Sequence, residues 1–98
     1  SLHDALPILE EVARKSTVPL ALHGGSGTPF EQMQRCPSFG VAKINVGAAV
    51  FEAGKAALLH TLCHDSSLEL VDALIAMEQA SEDAIIPYLQ ASGAIGKA

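Results

Sequence analysis

Pro19-Leu20-Ala21-Leu22-His23-Gly24-Gly25-Ser26-Gly27 is the stretch on which the reading of the fold turns. Proline suits the first residue of a strand, and the apolar run behind it stops abruptly at the glycines. Residues 19–23 therefore read as a short buried strand with His23 at its end. Side chains alternate across a strand, so Ala21 and His23 share one face while Leu20 and Leu22 share the other. Beyond the glycines, Thr28-Pro29-Phe30-Glu31 reads as a helix start: Thr28 as the cap, Pro29 at the first helical position, and Glu31 closing a capping box.

The elements on either side follow from periodicity. Leu6, Leu9, Val12 and Ala13 recur at helical spacing opposite Glu10, Glu11, Arg14 and Lys15, which predicts an amphipathic helix over 5–16. The helix begun at Pro29 should stop before Pro37. Residues 41–46 predict a second strand after Phe39-Gly40, and residues 48–62 an alanine-rich helix. Ser66 with Glu69 reads as another capping box opening a helix over 67–79. Ser81 can restart a further helix, with Pro87 a kink or boundary and Gly93 and Gly96 its end. The order is α-β-α-β-α-α, with a βαβ crossover between the strands. Parallel sheets are covered on both faces, and two strands cannot make one alone. The chain thus reads as a piece of a larger α/β domain.

Composition narrows the function. The 98 residues are 49% hydrophobic and 17% charged, which fits a globular chain rather than a disordered one. Six Lys and Arg against eleven Asp and Glu give a net charge of −5. That balance argues against nucleic acid, which requires a clustered basic surface, and against an anionic membrane. Cys36 and Cys63 form no CxxC pair, so a reduced intracellular protein is the simplest expectation. No apolar run is long enough to span a bilayer.

The chemistry concentrates around the glycines. His23 stands at the end of a strand, where a barrel of parallel strands places its catalytic groups, and imidazole is the commonest metal ligand. Glycines let backbone N–H groups approach an anion closely, Ser26 adds a hydroxyl, and the following helix adds its positive end. On the second strand, Val41, Lys43 and Asn45 share one face and Ala42, Ile44 and Val46 the other. The apolar set should pack on helices, leaving Lys43 and Asn45 facing the interior with Asn45 at the active end. Read without further context, the same glycines also fit a plain turn beside a histidine. His-Gly-Gly also resembles the oxyanion loop of lipase-like hydrolases, but that class needs G-x-S-x-G, and Thr28 stands where the last glycine belongs.

Taken together, Pro-Leu-Ala-Leu-His-Gly-Gly-Ser-Gly, a proline-started helix and Gly-Val-Ala-Lys-Ile-Asn-Val resemble the last two βα units of class II fructose- and tagatose-bisphosphate aldolases. The tail Gly93-Ala94-Ile95-Gly96-Lys97-Ala98 is similar to that family's usual ending. The resemblance implies an α/β fold: the C-terminal part of a TIM (β/α)8 barrel, with residues 1–98 a fragment of one barrel domain. It implies a Zn2+ cofactor with His23 as one metal ligand and the remaining ligands outside this chain. Gly24, Gly25, Ser26, Asn45, Gly47 and Ala48 would bind substrate phosphate, and Asn45 would also contact the reacting part of the substrate. The implied reaction is retro-aldol cleavage of a phosphorylated ketose to dihydroxyacetone phosphate and an aldehyde. The setting is a cytoplasmic homo-oligomer, with this fragment inactive alone. A non-catalytic barrel subunit partnering a tagatose-bisphosphate aldolase is the alternative. It draws on one departure: family members usually follow Asn-Val with a polar pair such as Ala-Thr or Asp-Thr, whereas Gly47, Ala48 and Ala49 stand here.

Other residues carry bland expectations. His60 and His64 are spaced i, i+4 but lack the Glu of HExxH, and read as an exposed or packed pair. Cys36 and Cys63 read as small buried side chains rather than nucleophiles. Residues 1–8 resemble a translated sequencing-adapter tail and are expected to be foreign to the protein.

Overall fold

A computed structural model describes residues 5–65 and 67–97. The elements run α1 (Ala5–Lys15), β1 (Leu20–Leu22), a 3-10 turn (Gly25–Gly27), α2 (Phe30–Arg35), a second 3-10 turn (Cys36–Phe39), β2 (Val41–Ile44), α3 (Ala48–His64) and α4 (Leu70–Ser92). They fall into two units. The first runs to Val46 and takes up the chain again from Tyr88, and the second is Gly47–Pro87.

In the first unit, α1 forms where its periodicity predicts. Glu11 pairs with Arg14 and, at 3.2 Å, with Lys15. Both pairs are exposed and contribute about 0–1 kcal/mol each, and the two cations suit the negative end of the helix. β1 and β2 then pair in parallel, Ala21 opposite Lys43 and Leu22 opposite Ile44. Ala21 and Lys43 therefore lie on one face and Leu22 and Ile44 on the other, as alternation requires. Between Leu20 and Ala21 the register shifts, because Leu20 lies opposite Val41. Strict alternation therefore does not extend to the start of β2, where Val41 is buried while Lys43 is exposed. Both strands are shorter than expected: β1 closes at Leu22 and β2 at Ile44. Backbone bonds nevertheless carry the pairing further, from Asn45 N–H to the Leu22 carbonyl at 2.8 Å and from Gly25 N–H to the Asn45 carbonyl at 2.8 Å.

Among the described residues of this unit, Met33, Cys36, Val41 and Ala91 are the buried apolar side chains, with Thr28 and Gln32 also buried. The helix start differs from expectation. Pro29 is the cap residue rather than the first helical one, and no side chain caps α2. The Thr28 hydroxyl turns back to donate to the Gly24 carbonyl at 3.4 Å instead. It thereby holds the glycine turn closed, and no capping box forms. α2 ends at Arg35, and the chain passes through Pro37 as the second 3-10 turn, whose geometry proline tolerates near a start.

The second unit holds α3 and most of α4. The expected break near Ser81 and boundary at Pro87 are absent, since α4 is one helix through both residues. The Ser81 hydroxyl donates to the Val50 carbonyl of α3 at 3.2 Å, so it ties two helices together rather than starting one. Gly54 of α3 makes that approach possible. A Cβ there would stand 2.6 Å from Ser81 Oγ and 3.2 Å from Met77 Cγ. α4 ends at Gly93 in a Schellman pattern, with Ala94 N–H on the Leu89 carbonyl at 3.1 Å and Gly93 N–H on the Gln90 carbonyl at 3.2 Å. The capping box expected at Ser66 lies outside the described residues.

Gly54→Ala is expected to destabilise the chain by about 1–3 kcal/mol through overpacking, despite the roughly 1 kcal/mol of helix propensity it gains. Adding Ser81→Ala should recover part of that loss. Urea unfolding of the two single variants and the double variant measures the coupling. A Gly54→Ala chain as stable as the wild type would show that the helices part without cost.

Candidate functional site

The site is built where the two parallel strands stop. His23 follows β1 directly and Asn45 follows β2 directly, so the parallel pairing sets them side by side across the sheet. Asn45 Nδ2 lies 3.0 Å from His23 Nδ1 and 3.5 Å from Nε2. The amide donates to the ring nitrogen that carries the lone pair. Turned by half a revolution, the same amide offers Oδ1 to accept from an N–H there. In either state Asn45 orients the imidazole through one nitrogen, and the ring itself is exposed to solvent.

Beside His23 the chain turns tightly. Gly24 sits at φ 73°, the left-handed region that disfavours a side chain. Its carbonyl accepts from Gly27 N–H at 3.1 Å, and the Gly25 carbonyl accepts from Thr28 N–H at 3.1 Å. Gly25 is pressed against the end of β2. A Cβ on it would meet the Asn45 backbone oxygen at 2.7 Å and the Cγ2 atoms of Ile44 and Val46 at 2.9 Å. The Gly25 N–H donates to the Asn45 carbonyl at 2.8 Å. Gly25 is a packing and pairing residue.

Tyr88 was missed by the sequence reading. Its hydroxyl donates to the Ser26 carbonyl at 3.3 Å, and its ring meets Phe30 edge-on at 5.1 Å. The glycine turn is thus braced by a residue 62 positions away. The one available signal was that Tyr88 is the chain's single tyrosine, with an apolar body and a polar tip that suit a half-buried position.

Lys43 is exposed, on the face it shares with Ala21. Gly47 and Ala48 open the second unit. The Gly47 carbonyl accepts from Val50 and Phe51 N–H at 3.0 Å each, which starts α3. Cys63, expected to be buried, is exposed at the end of α3. Cys36 is buried, and burial pushes its thiol pKa up, so it stays protonated. That suits packing and not nucleophilic attack.

An exposed strand-end imidazole, oriented by a neighbouring amide, has the donor chemistry of a metal ligand. It fits one ligand position. Among the described residues no group of three or more His, Cys, Asp or Glu could hold a metal ion. Among them, too, no helix is long and apolar enough to cross a membrane.

The fold has known counterparts. The sequence model of the family described as fructose-bisphosphate aldolase class-II matches residues 4–97, and the chain belongs to that family. The match begins inside the stretch expected to be foreign. A fructose-bisphosphate aldolase of Geobacillus stearothermophilus is 50% identical over 38 residues, which are 39% of this chain and 13% of that protein. One of Staphylococcus aureus (strain Mu50) is 37% identical over 60 residues, 61% of this chain and 21% of that protein. The crystal structure of the YdjI aldolase from Escherichia coli K12 superposes with a TM-score of 0.79 at 24% identity. That superposition covers 95% of this chain and 34% of the other. The chain therefore has the fold of about a third of an aldolase, and its matches to the two curated relatives span smaller shares of their length.

Gly25→Ala is expected to cost about 1–3 kcal/mol, because its nearest clash is with backbone, which cannot swing aside. Hydrogen exchange at the Gly25 and Asn45 amides should rise with it. Unchanged stability and protection in Gly25→Ala would mean that the turn does not rest on β2 in solution.

Proposed function

We propose that this chain supplies the last two βα units and terminal helices of a (β/α)8 barrel in a zinc-dependent ketose-bisphosphate aldolase. The observation that carries the reading is the pairing of His23 with Asn45 at the ends of adjacent parallel strands, beside the glycine turn, in a chain of this family. Parallel barrels place their reacting groups at that end of the strands.

Each residue then has a role. His23 holds one coordination position of Zn2+, and the other ligands come from outside this chain. When bound, the ion supplies Lewis-acid polarisation of the ketose carbonyl. Asn45 orients His23 and offers its amide to a substrate oxygen. Ser26, Gly24, Gly47 and Ala48 take a phosphate group through hydroxyl and backbone donors. Gly25 shapes that cradle without donating to it. Holding the phosphate in the glycine turn would fix the rest of the substrate beside His23 and Asn45, and such orientation accelerates cleavage. The carbon–carbon bond breaks to give dihydroxyacetone phosphate and an aldehyde, with the proton moved by a carboxylate outside this chain. In the full-length enzyme the reading also implies a cytoplasmic homo-oligomer.

In the complete parent enzyme, His23→Ala is expected to lose bound zinc and to abolish turnover while the barrel stays folded. Ser26→Ala should mainly raise KM, because backbone donors to phosphate remain. Metal analysis and steady-state kinetics on both variants test this. Full zinc occupancy with near-normal turnover in His23→Ala removes the basis of the proposal. Residues 1–98 alone should show no cleavage of a ketose bisphosphate above the buffer rate.

A further inference from the structure

Away from the glycine turn, α3 carries two imidazoles near its end. His60 and His64 are both exposed. Their rings stack with centroids 4.1 Å apart and planes inclined by 16°. One helical turn separates them, the spacing that brings side chains together on a helix surface. His64 Nδ1 lies 2.9 Å from the His60 carbonyl. That carbonyl can only accept, so Nδ1 carries the hydrogen and the lone pair of His64 sits on Nε2. A ring N–H held by a backbone carbonyl, with the other nitrogen outward, is the arrangement found behind metal-ligating histidines.

We propose that His60 and His64 form a two-imidazole chelate for a borderline divalent transition metal, separate from His23. Imidazole nitrogen suits Cu2+, Ni2+ and Zn2+, and the order of affinity puts Cu2+ first. The rings already stand together, so little side-chain freedom is lost on closing the chelate. The helix end adds a favourable field for a cation, since its carbonyls carry partial negative charge. Among the described residues no third protein ligand completes the set. The Asp65 carboxylate accepts from Ser67 N–H at 3.1 Å and from the Ser67 hydroxyl at 2.6 Å. Water therefore fills the remaining positions, and the metal exchanges readily. The proposal does not depend on the aldolase reading, because it uses no residue assigned to substrate or to zinc.

Ni2+ is the probe of choice, because the exposed Cys63 thiol would react with Cu2+. The full chain carries four histidines. A His3→Asn, His23→Asn background leaves only His60 and His64 as imidazoles. Calorimetric titration of that background with NiCl2 should show one saturable site. Tethering two ligands raises affinity by about 10²–10⁴ over one, so His60→Asn or His64→Asn should each weaken binding about 100-fold or more. Cys63→Ser should leave it unchanged. Amides in the last turn of α3 should gain protection from hydrogen exchange when Ni2+ is added, in the background and not in its His60→Asn derivative. Retention of the site in either histidine variant overturns the proposal. So do its loss in Cys63→Ser and an absence of saturable binding.

Discussion

The N–H of Gly25 reaches the carbonyl of Asn45 at 2.8 Å because no side chain stands on its α-carbon. β1 and β2 stop at Leu22 and Ile44, but this bond and that from Asn45 N–H to Leu22 extend the pairing past both strands. That extension carries Asn45 forward beside His23 and seats the turn on Ile44 and Val46. A parallel pair has evenly spaced bonds and no hairpin to set its register, so the end of the ladder needs such a contact to be fixed. Thr28 and Tyr88 serve the same end, each holding a carbonyl of the turn.

Little apolar surface is buried around this point. Met33 and Cys36 are the large side chains fully enclosed. An apolar groove of about 310 Å3 lies open along Leu6, Leu9, Val12 and Leu22 in the first unit. In the second unit Phe51 is 76% exposed, and Leu70, Val71 and Ile75 are exposed with it. Burying one such side chain is worth about 1.5–3 kcal/mol, so these surfaces represent a large unrealised stabilisation. Strands of a parallel sheet are ordinarily covered on both faces. The proposed barrel supplies that cover, and it accounts for why an α/β chain with a well-formed strand end has so small a core.

Much of this was legible in the residues. The period of Leu6, Leu9 and Ala13 gave α1, and glycines bounded both strands. The order of His23, the glycines and Asn45 placed His23 and Asn45 at the ends of neighbouring strands, where they meet. What failed was local punctuation. Thr28, Ser81 and Pro87 each read as helix boundaries, because hydroxyls and proline favour caps and breaks. Two of the three are engaged in bonds that propensity does not register: Thr28 locally with Gly24, and Ser81 across to Val50 of α3. Pro87 lies inside α4, which continues through it without a break. A Cβ on Gly25 would stand 2.7 Å from the Asn45 backbone oxygen. Such a distance has no signature in one sequence.

Charge poses the sharper problem for the proposed substrate. A ketose bisphosphate is strongly anionic, while this chain carries a net −5 with only six Lys and Arg. Long-range attraction from this part of the molecule therefore cannot draw the substrate in. Recognition has to be short-range, through oriented dipoles whose strength grows as water is excluded. A turn rich in glycine serves this well, since its backbone donors can lie close to phosphate oxygens without side chains between. Its cost is conformational freedom, which would blur the donors if the turn were loose. The bonds from Gly25 to Asn45, from Thr28 to Gly24 and from Tyr88 to Ser26 remove that freedom in advance. On this reading the residues that never touch the phosphate decide how well it binds. The loss of a polar pair at Ala48-Ala49 is then tolerable, so long as the turn stays braced against β2.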